Sequence, residues 1–195
     1  AEFGWRPGAQ INVGFKSDEI DLPFERRRWG NYLYLNEKTT PLLWTTQLMD
    51  RMIRELQEFK PDILEANPSL LAKFCRYIAA TGKSVYQPKA ITLTYEYPTA
   101  FHYRQMRSVF SCPTVSSYGA TEIGYVFEEC ECGKLHQNTA FCRVDIQPLA
   151  PEQGDPDVGR ILVTTFNNPW YYLIRFDVSD LVRIEPAPAP GTGNT

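Results

Sequence analysis

One run of this sequence gathers residue types suited to holding a phosphate ester: Ser117-Tyr118-Gly119-Ala120-Thr121-Glu122. A glycine lets backbone approach a ligand closely, a threonine supplies a hydroxyl, and a glutamate supplies a hard oxygen suited to magnesium. Tyr118 offers a flat face for a purine ring. Taken alone, such a run is more often a turn with an incidental glycine. A second run, Arg175-Phe176-Asp177-Val178-Ser179-Asp180, carries in Asp180 a carboxylate able to accept hydrogen bonds from a ribose, as acidic residues do in other nucleotide sites. By itself it also reads as a charged hairpin turn.

A third set comprises Cys130, Cys132, His136 and Cys142. Thiolate and imidazole ligands at short loop spacing are what tetrahedral zinc requires, and four protein ligands would make the site closed and structural. Zinc is favoured over the plainer alternative of three buried or incidental thiols and a solvated histidine, because the four ligands lie within 13 residues on one expected loop and strand. Cys142 is the weakest member, because a strand would turn it toward the core, and Cys112 is its substitute. Three more stretches carry weaker signals. Arg26-Arg27-Arg28-Trp29 reads as a solvated basic surface. His102 reads as a surface residue at a helix start, and Trp170, Tyr171 and Tyr172 as strand residues.

These groups need elements to position them. Thr45 or Thr46 caps a helix in which Leu48, Met49, Met52, Ile53, Leu56 and Phe59 recur at helical spacing, and Pro61 stops it. Residues 62–66 are short enough for a buried strand. Asn67-Pro68 is a cap with a first-turn proline. Leu70, Leu71, Phe74, Cys75 and Ile78 line one face of the next helix, which Gly82 ends in a left-handed cap. A strand over 90–94, a helix over 99–110 and a strand over 113–117 complete two β-α-β units, which imply a parallel sheet. Ligands bind such sheets at the carboxyl ends of the strands, and Tyr118-Gly119 falls just beyond one.

The texture changes after residue 138. Strands are expected over 141–147, 160–166, 171–176 and 181–184, separated by turn-rich 151–159 and by Asn167-Asn168-Pro169. The reading is therefore α/β: a parallel sheet with flanking helices, followed by an antiparallel β-rich or partial-barrel segment. Residues 1–125 form the first region, 126–185 the zinc loop and β-rich region, and 186–195 a Pro/Ala/Gly linker or tail.

Composition fits an ordinary globular chain of 195 residues, 43% hydrophobic and 22% charged. Twenty basic residues against 23 acidic give a net charge of −3, which offers no global argument for nucleic acid or an anionic membrane. No apolar run approaches the ~20 residues of a membrane span. Five cysteines is an odd number, which argues against a purely disulfide-paired secreted protein and for a reducing, cytoplasmic setting.

The two runs in this order, with Gly159-Arg160-Ile161-Leu162-Val163-Thr164-Thr165 between them, resemble the adenylate-forming superfamily. Within it the chain looks most like the phenylacetate–CoA ligase group. Glu65-Ala66-Asn67-Pro68-Ser69-Leu70-Leu71 resembles that group's Pro-Ser-Leu-Leu helix start, and Thr94-Tyr95-Glu96 its Thr-x-Glu. The resemblance covers most of residues 5–185. It implies an ATP-dependent acid–CoA ligase, which joins a carboxylate to AMP and then passes the acyl group to CoA.

Carried over by position, Tyr118 flanks adenine, with Ser117 and Gly119 in the same nucleotide-binding run. Thr121 touches the α-phosphate and Glu122 holds magnesium. Asp180 binds the ribose, Arg175 lies beside the nucleotide, and Glu96 borders the adenine or acyl pocket. Cofactors implied are ATP/AMP, Mg2+, CoA and structural Zn2+; the acid is expected to be aryl or arylacetic, and the family suggests a homodimer. Some relatives also carry a Cys and a Gly-Leu-His-like element after the motif, matched here by the stretch from Cys130 to His136.

Three departures stand out. Val178-Ser179 replaces the usual Thr-Gly before the ribose aspartate. No Ser/Thr/Gly-rich phosphate loop occurs in the 195 residues, and neither does the small domain with a catalytic lysine. The expectation is therefore an internal segment of a longer enzyme, inactive in isolation. The competing expectation is a non-catalytic, zinc-stabilised module acting by binding within a larger assembly.

Overall fold

The computed structural model describes residues 13–14, 24–35, 44–149, 155–166 and 169–185. It opens with β1 (Val13–Gly14), a one-turn α1 (Phe24–Arg27), β2 (Arg28–Trp29) and β3 (Tyr32–Tyr34). The helix expected from apolar spacing follows as α2 (Thr46–Phe59). Thr45 is its cap: the hydroxyl accepts the Leu48 N–H at 3.2 Å, satisfying one of the free donors of the first turn. Lys60, left-handed at φ +52°, closes the other end through its N–H to the Leu56 carbonyl, immediately before Pro61.

After β4 (Ile63–Ala66), Asn67 caps α3 (Pro68–Thr81), its side chain accepting the Leu70 N–H at 3.1 Å. Gly82 ends that helix at φ +65°. Next come β5 (Ala90–Leu93), α4 (Ala100–Arg107), β6 (Thr114–Ala120), β7 (Gly124–Glu129) and β8 (Leu135–Gln137). The chain then forms β9 (Cys142–Pro148), β10 (Val158–Thr165) and β11 (Phe176–Arg183).

The larger sheet has the order β2-β3-β1-β4-β5-β6-β7-β8. Five successive strands, from β3 through β1, β4 and β5 to β6, run parallel. The mixed α/β class and the separate antiparallel region are as expected. The second region is a three-stranded antiparallel sheet, β11-β10-β9, with no barrel closure among the described residues.

The described chain divides into two compact units, one running to Tyr118 and including Glu128–Leu135, the other comprising Gly119–Phe127 and the chain from His136. In the first unit, Met52 and Leu56 of α2, Leu71 and Phe74 of α3, Leu64 of β4 and Ile91 of β5 are fully buried in one core. Each such side chain contributes about 1.5–3 kcal/mol through removal from water. Within this apolar assembly lies an ionic cluster. Arg27, 2% exposed, pairs with Glu55 of α2 and donates to the carbonyl of Tyr34 at 2.5 Å. Arg51 reaches the same Glu55 oxygen at 3.4 Å and donates to the Leu35 carbonyl at 3.0 Å. The expectation of a solvated arginine run is corrected at Arg27. Its neighbour Arg28 is exposed, stacked over Phe59 at 5.4 Å.

In the second unit the expected hairpin around residues 175–180 is one continuous strand. β11 runs from Phe176 to Arg183 with a bulge: Arg160 faces Leu181 and Leu162 faces Asp177, so Ile161 alone opposes Val178, Ser179 and Asp180. The extra residues are absorbed sideways rather than by reversing the chain. The strand expected over 171–176 therefore contributes only its last residue. The expected tail, 186–195, and the turn residues 151–154 and 167–168 lie outside the described residues. None of the described helices is long and apolar enough to cross a membrane.

Candidate functional site

β6 is longer than the apolar pattern indicates. It pairs with β5 through Leu93 and Ser116, then continues beside β7 to Ala120. Tyr118 and Gly119 are therefore inside the strand rather than beyond it. Ser117 is half-buried, its hydroxyl 3.5 Å from the Leu93 carbonyl. A Cβ on Gly119 would lie 2.2 Å from the Gly124 carbonyl oxygen, so the close approach that this glycine allows is between β6 and β7. The chain turns after Ala120, whose carbonyl accepts the Ile123 N–H at 3.2 Å. That turn presents Thr121 and Glu122 to solvent while Ile123 is buried. Among the described residues, neither the Thr121 hydroxyl nor the Glu122 carboxylate has a hydrogen-bond or ion-pair partner. Both are chemically available.

The carboxyl ends of β4 and β5 carry two helix starts. Glu96, expected to border a pocket, accepts the Ser69 N–H at 2.6 Å. It thus ties the segment after β5 to the first turn of α3, where a negative charge favours the helix dipole. Between them, Thr94 is 6% exposed and its hydroxyl has no hydrogen-bond partner among the described residues. Tyr95 is held at φ +78°, an uncommon conformation for a residue with a side chain. His102 is not a bystander. Its Nδ1 accepts the Thr99 N–H at 3.3 Å while Thr99 Oγ1 accepts the His102 N–H at 3.4 Å, a reciprocal cap on α4.

A further group has no signature in the sequence. One Glu129 oxygen accepts both the Tyr103 hydroxyl, at 2.8 Å, and the Ser116 backbone N–H, at 2.6 Å. Burial, followed by the hydrogen bond to Glu129, pushes the Tyr103 phenol well above its ordinary pKa. Neither spacing nor composition announces this cluster, because its members come from α4, β6 and β7.

In the second unit, Arg175 is left-handed at φ +50°, its N–H on the Thr164 hydroxyl at 3.0 Å and its guanidinium on Asp145 at 2.8 Å. Asp180 is exposed at the bulge, whereas Asp177 pairs with Arg160 at 3.2 Å. Ser179 occupies the left-handed region at φ +66°, and Asp177 accepts its N–H at 2.8 Å. An open depression of 620 Å3 is lined by Leu149, Arg160, Ser179 and Leu181. Trp170, Tyr171, Tyr172 and Ile174 are exposed in an irregular stretch, where strand residues were expected.

The cysteine set is not gathered. Among the described residues no group of three or more His, Cys, Asp or Glu side chains is arranged to hold a metal. Cys142 is 1% exposed on β9, its Sγ 3.6 Å from the Asn138 carbonyl, and burial raises its thiol pKa. Cys132 is exposed in the turn between β7 and β8, which Gly133 closes at φ +73°. Cys112 is half-buried with a raised pKa, again from burial, and packs against the core of the first unit.

No known family profile matches the chain. A curated relative, a fumarate–(S)-2,3-diaminopropanoate ligase from Enterobacter agglomerans, is 28% identical over 144 residues, covering 70% of this chain and 35% of its own. Among solved structures, 2-hydroxyisobutyryl-CoA ligase in complex with 2-HIB-AMP and CoA superposes with a TM-score of 0.66 at 14% identity, over 92% of this chain and 44% of that one. A long-chain-fatty-acid–CoA ligase from Archaeoglobus fulgidus gives 0.51 at 13% identity, over 70% and 34%. The anthranilate–CoA ligase AuaEII, solved with anthranoyl-AMP, gives 0.50 at 11% identity, over 85% and 33%. The chain thus spans about a third of the curated relative's length and under half of each of these solved ligases. Over the part that it covers, the fold of this chain is that of these acid–CoA ligases.

Proposed function

We propose that this chain supplies the nucleotide- and acyl-binding core of an ATP-dependent, AMP-forming carboxylic acid ligase. The observation carrying the reading is the Thr121-Glu122 turn at the carboxyl end of a parallel strand, its hydroxyl and carboxylate unpartnered among the described residues. In the reaction a carboxylate oxygen bonds to the α-phosphorus of ATP, the bridge to the β-phosphate breaks, and pyrophosphate leaves. An acceptor then attacks the acyl carbon and AMP departs. Magnesium, when bound, neutralises phosphate charge, and Glu122 is the residue that would hold it. Thr121 donates to the α-phosphate, Tyr118 flanks adenine, Asp180 accepts from the ribose hydroxyls, and Arg175 lends positive charge nearby.

CoA is the acceptor favoured by the ligases that share the fold. A second acceptor class is favoured by a specific observation: the curated sequence relative is named for fumarate and an amino acid. Its acceptor class would be an amine. Aromatic side chains exposed after β5, at Tyr97 and Phe101, support an aryl or arylacetic acid as the first substrate. The test is ATP–pyrophosphate exchange by the natural protein containing these residues, with phenylacetate, benzoate and fumarate as acids. CoA or 2,3-diaminopropanoate is then added as acceptor. Exchange with one acid and release of AMP with one acceptor is expected; no exchange and no ATP binding would remove the reading.

A further inference from the structure

Glu129 lies outside every motif that brings nucleotide chemistry to mind, yet it holds the strand that carries one. β6 is fixed on one side by backbone pairing to β5, at Leu93 and Ser116. On its other side the Ser116 N–H meets a carboxylate, Glu129, at 2.6 Å. Ser116 is itself buried, so that N–H needs a partner inside the protein. The carboxylate is not free to wander, because the same oxygen accepts the Tyr103 hydroxyl at 2.8 Å. The result joins α4, β6 and β7 at one oxygen, two residues before Tyr118.

We propose that Glu129 is a positioning residue for the adenylate site, fixing through Ser116 the strand that carries Tyr118 and leads into the Thr121-Glu122 turn. The inference rests on the ligase reading above. Its geometry needs two acceptor positions on one side-chain oxygen, not a negative charge at the nucleotide. Glutamine retains that oxygen and alanine does not. Displacing the strand by a fraction of an ångström misplaces the Thr121-Glu122 turn against the transition state, where phosphate charge is concentrated, and moves Tyr118 against adenine in the ground state as well.

The experiment uses the natural protein, with ATP–pyrophosphate exchange and MgATP binding measured on Glu129→Ala, Glu129→Gln and Tyr103→Phe. Folded fractions are matched by circular dichroism and thermal unfolding. Glu129→Ala is expected to lose on the order of tenfold or more in kcat, with KM for ATP rising alongside because Tyr118 moves with the strand. Glu129→Gln should recover most of that loss, and Tyr103→Phe should fall between. If Glu129→Ala does not fold, the glutamine and phenylalanine variants carry the comparison, with kcat expected to fall in Tyr103→Phe and not in Glu129→Gln. A merely structural Glu129 would lower the melting temperature and leave kcat per folded molecule unchanged, overturning the proposal. Equal loss in the alanine and glutamine variants would overturn it too, since charge rather than geometry would then be at work. A wild-type protein that neither binds MgATP nor exchanges pyrophosphate removes the ligase reading, and the proposal with it. Binding and exchange in wild type with no kcat effect in the variants removes this proposal alone.

Discussion

Asp177 and Ser179 form a closed local unit on β11: the aspartate carboxylate accepts the Ser179 N–H at 2.8 Å while Ser179 sits at φ +66°. The arrangement answers a difficulty visible in the sequence, where Val178-Ser179 stands in place of a Thr-Gly. The left-handed conformation that glycine would adopt without penalty is still required. Serine adopts it, and the neighbouring carboxylate holds it there.

Ser179→Gly should therefore raise stability by about 1 kcal/mol, because the left-handed region costs a side-chain-bearing residue about 1–2 kcal/mol and glycine's greater unfolded-state freedom returns part of that. Ser179→Ala keeps the penalty and should not stabilise. Thermal unfolding of the three proteins measures this. A lower midpoint for the glycine variant would mean that the bulge is not strained at Ser179.

At the candidate site, Glu122→Ala and Asp180→Ala should differ in kind. On the proposed roles, Glu122→Ala would remove charge compensation at phosphate and is expected to slow pyrophosphate exchange on the order of a hundredfold. On the same reading Asp180→Ala would remove a ribose contact made equally in ground and transition states, so it should appear mainly in KM for ATP. Full activity in Glu122→Ala would reduce the exposed turn to a surface feature and favour a non-catalytic binding module.

Removing Glu55 should be severe. Glu55→Ala leaves the Arg27 guanidinium buried without its carboxylate, which typically costs about 3–5 kcal/mol. Replacing both residues by methionine should recover part of that, since the desolvation of two ions is relieved while Arg51 loses its carboxylate and the Tyr34 carbonyl its donor. Urea unfolding of the single and double variants decides it, and a cost below about 1 kcal/mol for the single change would contradict the buried pairing.

The thiols should separate by burial. The Cys75 thiol, pushed up to about 12 by burial on α3, is protonated throughout the working pH range and shielded from reagents. Its thiolate fraction grows only as pH approaches that value. Cys142 is also buried with a raised pKa, whereas Cys132 is exposed. Iodoacetamide at pH 8 should label Cys132 first and reach Cys75 and Cys142 only after unfolding, as read by peptide mass spectrometry. Early labelling of Cys142, or full protection of Cys132 that a chelator lifts, would restore the zinc loop as the better account.

Local chemistry made much of this molecule readable in one dimension. Thr45, Asn67 and Gly82 punctuate their helices because a cap is satisfied within three or four residues, by groups that the sequence places side by side. Leu48 to Phe59 and Leu70 to Ile78 repeat at helical spacing because a single core face demands it. For the same reason the α/β order was legible. What single residues do with distant neighbours was not. Arg27 is charged like Arg26 and Arg28, and only its distant partner Glu55 makes it a core residue. Gly119 serves the approach of β7, and Asp177 holds the bulge through the Ser179 N–H, because pairing register is a relation between strands. The cysteines shared a short stretch, yet a strand's alternation buried Cys142 while a turn exposed Cys132. Glu129 reaches Tyr103 and Ser116 across separations of 26 and 13 residues. Contacts of that range depend on how strands and helices are brought together, which only the tertiary fold decides.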